Sequence, residues 1–208
     1  MRNTLGYEVN PDWRFIGRLN LSTSDSSLGD FYDGDFAEVV VGYAYRPIEN
    51  DRLNALLKYT FFYNLPSAGQ LTNSNTLADF SQRSHVFSAD AVYDLAPWLS
   101  VGGKYGLRLG QLKDNRSKDS SFESSLAHLY IARADFHWVH EWDALIEGRV
   151  LDVRAAEDRR SGFLLALYRH LNQHVKAGVG YNFTDFSDDL TDLDYRNRGW
   201  FFNLVGKF

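Results

Sequence analysis

Apolar and polar residues alternate with a period of two along nearly the whole chain, a pattern typical of β-strands whose two faces meet different surroundings. In residues 98–110, for example, Leu99, Val101 and Tyr105 fall on one face, whereas Lys104 and Arg108 fall on the other. Apolar residues do not keep the i, i+3, i+4, i+7 spacing of an amphipathic helix over any long window. We therefore predict an all-β protein with eleven strands, at residues 3–9, 13–22, 36–46, 52–64, 84–95, 98–110, 126–138, 142–152, 161–171, 174–184 and 196–208.

The predicted strands are long, and the connections between them alternate in length. Most strands run for ten residues or more, close to the ~9–11 residues with which a tilted strand crosses a bilayer and longer than the ~5–6 typical of soluble sheets. Tight turns such as 10–12 and 96–97 alternate with long polar loops such as 23–35 and 65–83. Transmembrane barrels place short turns at the periplasmic rim and longer loops on the extracellular side. The sequence therefore predicts one domain over residues 1–208, an antiparallel up-and-down transmembrane β-barrel of about 10–12 strands.

Charges of both signs occupy the polar face of these strands, which would face the lumen of a barrel. When inward residues are required to face one another across each tight turn, three opposed charge pairs are predicted: Glu8 with Arg14, Asp90 with Lys104, and Arg133 with Glu147. An excess of inward cations would bias an open pore toward anions. The alternative is a salt-bridge network that plugs a narrow barrel and holds its register. The residues predicted to line the lumen are Arg14, Arg18, Glu38, Lys58, Asp90, Lys104, Arg108, Arg133, Asp135, Glu147, Arg149 and Lys176.

Aromatic residues recur at strand ends. Trp13, Trp98 and Trp142 each come just after a tight turn, so they would stand at one height on the barrel. Aromatic belts of this kind mark the two interfaces of a membrane. The predicted girdle residues are Trp13, Trp98, Trp138, Trp142, Trp200 and Phe208.

Composition removes several other classes of protein. No run of 18 apolar residues exists, which excludes a helical membrane protein. The absence of cysteine excludes disulfide scaffolds and thiolate metal sites, and a net charge of -5 is the wrong sign for a general nucleic-acid binder. A soluble barrel with its apolar face inward, like a lipocalin, would also alternate. Strand length, turn asymmetry and the aromatic strand ends together argue against that alternative.

These features resemble the outer-membrane β-barrels of Gram-negative bacteria. The C-terminal strand is similar to the assembly signal of that class, with Gly199, then Phe202 and Leu204 two residues apart, and an aromatic Phe208 as the last residue. The resemblance implies an integral outer-membrane protein that contacts outer-membrane lipid and that the barrel-assembly machinery recognises through its C-terminal strand. Residues 180–189 also look like the end of long, repeat-containing bacterial surface proteins that close with a barrel.

The strand count departs from this class, because bacterial single-chain barrels have an even number of strands. Eleven predicted strands therefore suggest either that one segment is misassigned or that the chain is a fragment lacking an N-terminal strand.

Three functions remain open at this point. The first is a porin-like narrow pore with a polar, cation-rich lumen. The second is the membrane anchor of a larger surface protein, with a plugged lumen. The third is a lipid-modifying enzyme of the outer membrane, for which Ser124, Ser125 and His128 lie near the outer rim without an evident third group. We therefore predict no catalytic residue and no enzyme activity.

No cofactor or metal site is predicted either. His137, His140 and Glu141 have a spacing that resembles a ligand set, but they sit at a strand end and a tight turn, where we interpret them as polar residues of the rim, like His170. The acidic residues within 185–194 could bind Ca²⁺, although the stretch lacks the glycine and the terminal glutamate of an EF-hand loop.

Overall fold

The structure is a computed structural model that describes residues 2–22, 36–63, 80–114, 121–139, 141–172, 174–188, 190 and 198–206. Within these residues no helix is long and apolar enough to span a membrane. A short 3₁₀ turn lies at Arg154–Ala156. The strands are β1 (Arg2–Asn10), β2 (Trp13–Ser22), β3 (Phe36–Tyr45), β4 (Leu53–Tyr63), β5 (Phe80–Ala96), β6 (Leu99–Asp114), β7 (Glu123–Val139), β8 (Trp142–Val153), β9 (Asp158–His170), β10 (Val175–Asn182) and β11 (Gly199–Gly206).

All eleven strands belong to one sheet, in chain order from β1 to β11, and each pairs antiparallel with its neighbours along the chain. The predicted all-β, antiparallel up-and-down meander is therefore confirmed. The tight turns lie at one end of the strands, called here the short-turn rim, and the other connections lie at the opposite end, the long-loop rim.

The observed strands differ from the predicted ones mainly at the long-loop rim. β5, β6 and β7 run for 17, 16 and 17 residues, so they extend well past the predicted ends of these strands. The connection predicted as a longer loop at 153–160 is shorter, because β8 and β9 extend into it and the 3₁₀ turn joins them. β10 ends at Asn182 rather than at residue 184, because the Asn182 side-chain oxygen accepts hydrogen bonds from the backbone N–H and the hydroxyl of Thr184 and so starts a turn.

Two tight turns are closed by the same chemistry. Asn10 Oδ1 accepts hydrogen bonds from the backbone N–H groups of Asp12 and Trp13, each at 3.0 Å. Asn172 Oδ1 does the same for His174 and Val175, each at 2.8 Å. Asparagine favours such turns because its side chain can bond its own backbone two residues on.

The register matches the three charge pairs predicted across the tight turns. Glu8 pairs with Arg14, Asp90 with Lys104, and Arg133 with Glu147, as opposed Cα partners. One face of the sheet, called here the inner face, carries the buried side chains, including those of Thr60, Val86, Arg108 and Ala127, which stand opposite one another on four successive strands. Large apolar side chains stand exposed on the other face, which is the reverse of a sheet that has folded around an apolar core in water.

Candidate functional site

Part of the chain between β10 and β11 folds onto the inner face of the sheet. Residues 183–188 and 190 are called here the inward segment. Within it, Phe186 is 1% exposed, Leu190 is 3% exposed and Thr184 is fully buried. Phe186 and Leu190 belong to an apolar cluster whose other members come from β4, β5, β7 and β8, namely Phe62, Val86, Ala127, Leu129, Ile131 and Leu151.

Two basic side chains of β6 hold the inward segment. Lys104 Nζ donates to the backbone carbonyl of Asp188 at 2.6 Å, and Arg108 Nη1 donates to the backbone carbonyl of Leu190 at 3.0 Å. Leu190 is buried, so its carbonyl group needs a partner, and it finds one in the wall of the sheet. The two cations therefore act as anchors for the segment.

Two glycines of the inner face make room for the segment. A Cβ atom at Gly106 would come within 2.9 Å of Leu190 Cδ1, and one at Gly162 would collide with both the side chain and the backbone of Thr184. A side chain at either position would push the segment away from the sheet.

A second polar cluster lies on the inner face at the short-turn rim and is called here the mouth network. Its centre is Asp143, whose Oδ1 accepts a hydrogen bond from His137 Nδ1 at 2.9 Å. Asp143 Oδ2 accepts from His170 Nε2 at 2.9 Å and from Lys176 Nζ at 3.0 Å. Because the Asp143 side chain is only 11% exposed, these three donors compensate a carboxylate that has lost most of its water.

The mouth network continues to two further strands. Ser100 Oγ donates to Asp94 Oδ1 at 2.5 Å and lies 3.3 Å from His137 Nε2. Asp94, Ser100, His137, Asp143, His170 and Lys176 come from β5, β6, β7, β8, β9 and β10 in turn. The network therefore ties six successive strands together at one rim.

A polar cavity of about 50 Å³, enough for a few water molecules, lies between the inward segment at Asp188 and the inner face of the sheet. Beside it, Arg149 donates a hydrogen bond to Glu147, and both side chains are buried. The charged residues lining the cavity are Asp90, Lys104, Arg133, Glu147 and Asp188.

The inner face thus has two unlike walls. On β4–β9 the inward segment and the mouth network bury side chains such as Arg108 and Arg149, and we call this the covered wall. On β2 the basic side chains of Arg14 and Arg18 stand exposed, and every residue of the neighbouring β1 is exposed as well. We call β1 and β2 the open wall. Both walls carry cations, but among the described residues only the covered wall buries any of them, namely Arg108 and Arg149.

No family model and no curated protein matches this chain. Among solved structures, the fold is similar to that of the NanC porin, with a TM-score of 0.52 and 9% sequence identity, over 100% of this chain and 92% of that chain. The fold is that of an outer-membrane β-barrel. At this level of identity the likeness concerns the path of the backbone, so the side chains of this barrel must be judged on their own geometry.

All twelve residues predicted to line the lumen of the barrel fall on the inner face by register. Their role in a lumen stays a prediction. Arg108, Glu147 and Arg149 are buried, Arg14 and Arg18 are exposed, and the other seven are half-buried, namely Glu38, Lys58, Asp90, Lys104, Arg133, Asp135 and Lys176.

The ion pairs on this face differ from the opposed pairs of the register. Arg149 pairs with Glu147 two residues away on the same strand, and Lys176 of β10 reaches past β9 to Asp143 of β8. Arg133 Nε lies 4.0 Å from Asp135 Oδ2. Side-chain reach, rather than Cα pairing alone, decides these partners.

The predicted girdle residues stand at both rims of the barrel. Trp98 and Trp142 are exposed at the short-turn rim, where Trp13 is half-buried against Tyr43 and Tyr45. Trp200 is exposed at the start of β11, at the long-loop rim. Trp138 lies in β7, but its side chain is outside the part that the structure describes. Phe208 lies outside the described residues altogether.

The proposed assembly signal falls on the last strand. Phe202 and Leu204 project from the outer face of β11, and Gly199 begins that strand. Recognition of this strand by other proteins stays a prediction.

The serine and histidine considered for an enzyme do not meet. Ser124 Oγ accepts a hydrogen bond from Gln111, whereas His128 Nδ1 contacts the Tyr105 hydroxyl at 3.0 Å. A serine, a histidine and an aspartate do line up in the mouth network, but the Ser100 hydroxyl donates to Asp94, so its proton is directed away from His137. That arrangement lacks the nucleophile-to-base hydrogen bond of a hydrolytic triad.

The sequence pattern missed the inward segment and the joint role of His137 and His170. A usable signal was present in the two large apolar residues, Phe186 and Leu190, which stand four apart in a strongly acidic stretch. Over the described part of the chain, no group of three or more His, Asp or Glu side chains could hold a metal ion. His140, Asp189 and residues 191–194 of the suggested ligand sets lie outside the described residues.

Proposed function

We propose that this protein is a porin-like channel of the bacterial outer membrane, with a narrow lumen rich in cations. The fold it shares with a porin supports the class of function. The exposed guanidinium groups of Arg14 and Arg18 on the open wall carry the proposal, because a conducting path needs charged side chains that remain in contact with water.

The path runs along the open wall. The inward segment fills the space against the covered wall and is tied there by Lys104 and Arg108. A solute that passes the segment therefore meets β1 and β2. Arg14 and Arg18 lie on the same face of β2, two repeats of the pleat apart. Their positive charge favours anions.

Planar-bilayer recording tests this function. We expect small, anion-preferring channels from the purified barrel, and a lower anion-to-cation permeability ratio in the variant with Arg14→Gln and Arg18→Gln. The control is Arg169→Gln, which removes one positive charge of the same kind from an exposed residue over the Trp142 ring at the short-turn rim. An unchanged reversal potential in the double variant would remove Arg14 and Arg18 from the path.

A second candidate function is that of a membrane anchor for a larger surface protein, with a plugged lumen. The depth of burial of Phe186 and Leu190 favours it, because the inward segment packs like part of a core. Well-folded protein that never conducts would support the anchor and end the pore hypothesis.

The outward side chains of β11 support two proposed partners. Trp200, Phe202 and Leu204 expose large apolar surfaces, which suit contact with outer-membrane lipid. The same strand is the proposed point of recognition for the barrel-assembly machinery. Cross-linking from position 202 in assembling membranes tests both.

A further inference from the structure

β1 and β11 are the two edge strands of the sheet. Over the described residues, no ladder joins one to the other. Most of the large outward side chains at these edges are more exposed than those of the strands between them: Tyr7 is 61% and Phe202 84% exposed, against 57% for Leu57 of β4. Every residue of β1 is exposed. Both edges therefore lie open to the surroundings.

The two edges run in the same direction. β1 runs toward the short-turn rim, where the turn after Asn10 leads into β2. β11 also ends at that rim, because its last residue, Gly206, stands opposite Val175 at the start of β10. Direct closure of β1 on β11 would therefore need a parallel seam, in a sheet whose other pairs are antiparallel. A single strand that runs the opposite way would be antiparallel to both edges.

A membrane makes open edges costly. Every second residue of an edge strand points its backbone N–H and C=O away from its one neighbour. Hydrocarbon offers these groups no partner, so open sheet edges do not occur in contact with lipid. The described sheet has two such edges, each of eight or nine residues.

We propose that β1 and β11 together form the seat of one additional strand, an extended polypeptide segment supplied from outside residues 1–208. The strand runs from the short-turn rim to the long-loop rim and pairs with both edges. The seat sets its length at about nine residues, to match β1. Its sequence alternates, with apolar residues beside Leu5 and Tyr7 on the outer face and polar residues beside Glu8 on the inner face. The completed barrel then has an even number of strands, as bacterial barrels do.

Engineered cysteines measure the width of the seam, because the chain has no cysteine of its own. Neighbouring strands lie about 5 Å apart, so an inserted strand separates its two neighbours by roughly 10 Å. A disulfide needs Cα atoms within about 7 Å of each other. In the variant with Leu5→Cys and Phe202→Cys, we therefore expect no disulfide under mild oxidation but efficient bridging by a bismaleimide that spans roughly 10 Å.

A matched control and two contrary outcomes make this test decisive. The variant with Val179→Cys and Phe202→Cys joins residues that are partners in the ladder, so it should form its disulfide under the same conditions. An equally efficient disulfide between positions 5 and 202 would show direct closure and overturn the proposal. A disulfide-linked dimer of the Leu5→Cys variant would assign the edge to a second copy and overturn it as well.

Hydrogen exchange on the unsubstituted barrel in lipid gives a second measurement that needs no variant. The probe is a synthetic peptide that copies β2, Trp13–Ser22, which runs in the required direction and has the required alternation. We expect the peptide to slow hydrogen exchange at the amides of β1 and β11 that point away from β2 and β10. The expected slowing is about tenfold, the effect of about one net hydrogen bond. A peptide of the same composition in scrambled order should have no effect. Equal protection by both peptides, or by neither, would contradict the proposal.

This inference does not depend on the proposed function. A pore and an anchor both need closed edges in a membrane, so the failure of channel recordings would leave the seam test unchanged.

Discussion

The open and covered walls of the barrel carry the same kind of residue in different surroundings. Arg18 and Arg108 occupy one row of the register, linked through Val40, Thr60 and Val86 on the intervening strands. Arg18 is exposed and Arg108 is buried. The difference comes from the inward segment, which covers one wall and leaves the other. Equivalent positions in a regular sheet can therefore hold either an arginine that stays in water or a buried arginine that anchors another part of the chain.

The largest expected effect on stability comes from truncating Phe186, the most buried large side chain of the inward segment. Phe186→Ala should lower the free energy of unfolding by about 3–5 kcal/mol, because it empties a fully packed site against the covered wall. Ile16→Ala, at a half-buried position of the open wall, should cost about 1 kcal/mol. Urea unfolding in lipid vesicles, followed by tryptophan fluorescence, measures both. Equal losses would mean that the two walls do not differ in packing.

Arginine substitutions on the two walls should differ almost as much in the stability that they cost. Arg149→Gln removes the partner of the buried Glu147 carboxylate and should cost about 3 kcal/mol. Arg18→Gln, on the open wall, should change stability by less than about 0.5 kcal/mol.

A double variant refines this prediction by the same unfolding measurement. When Glu147→Gln accompanies Arg149→Gln, part of the lost stability should return, because no uncompensated charge is then left in the interior. A double variant that is less stable than Arg149→Gln alone would show that the charge of Glu147 stabilises the fold through other partners.

The smallest of these effects tests the mouth network. Asp143→Asn should cost about 2 kcal/mol, because three donors lose a charged acceptor. Glu141→Gln, at an exposed ion pair of the same rim, is the control and should cost less than about 0.5 kcal/mol. Thermal unfolding in detergent compares the two, and similar shifts would mean that the network contributes little to holding the rim.

Much of this architecture could be predicted from local pattern. The eleven strands follow from a two-residue alternation, and the opposed pair of Glu8 and Arg14 follows from requiring polar residues to share a face across a tight turn. Asn10 and Asn172 sit where their side chains can close turns. Each of these features depends on residues close together in sequence or on one hairpin.

The partners of the interior charges could not be predicted in the same way. Lys176 reaches Asp143 across an intervening strand, and Lys104 bonds a backbone carbonyl 84 positions along the chain. Such contacts depend on the curvature of the sheet and on where the inward segment lies. Neither can be predicted from the alternation of apolar and polar residues in a single strand.

The sequence by itself determined the strands, their order, the register across tight turns and which side chains share a face, because a period of two and short turns leave few other pairings. Tertiary structure alone decided which inner charges lie in water. A segment from one loop, admitted by Gly106 and Gly162, packs Phe186 against strands distant in sequence and so buries one wall of the interior. The physical reason is that burial depends on what covers a face, whereas alternation specifies only the face itself.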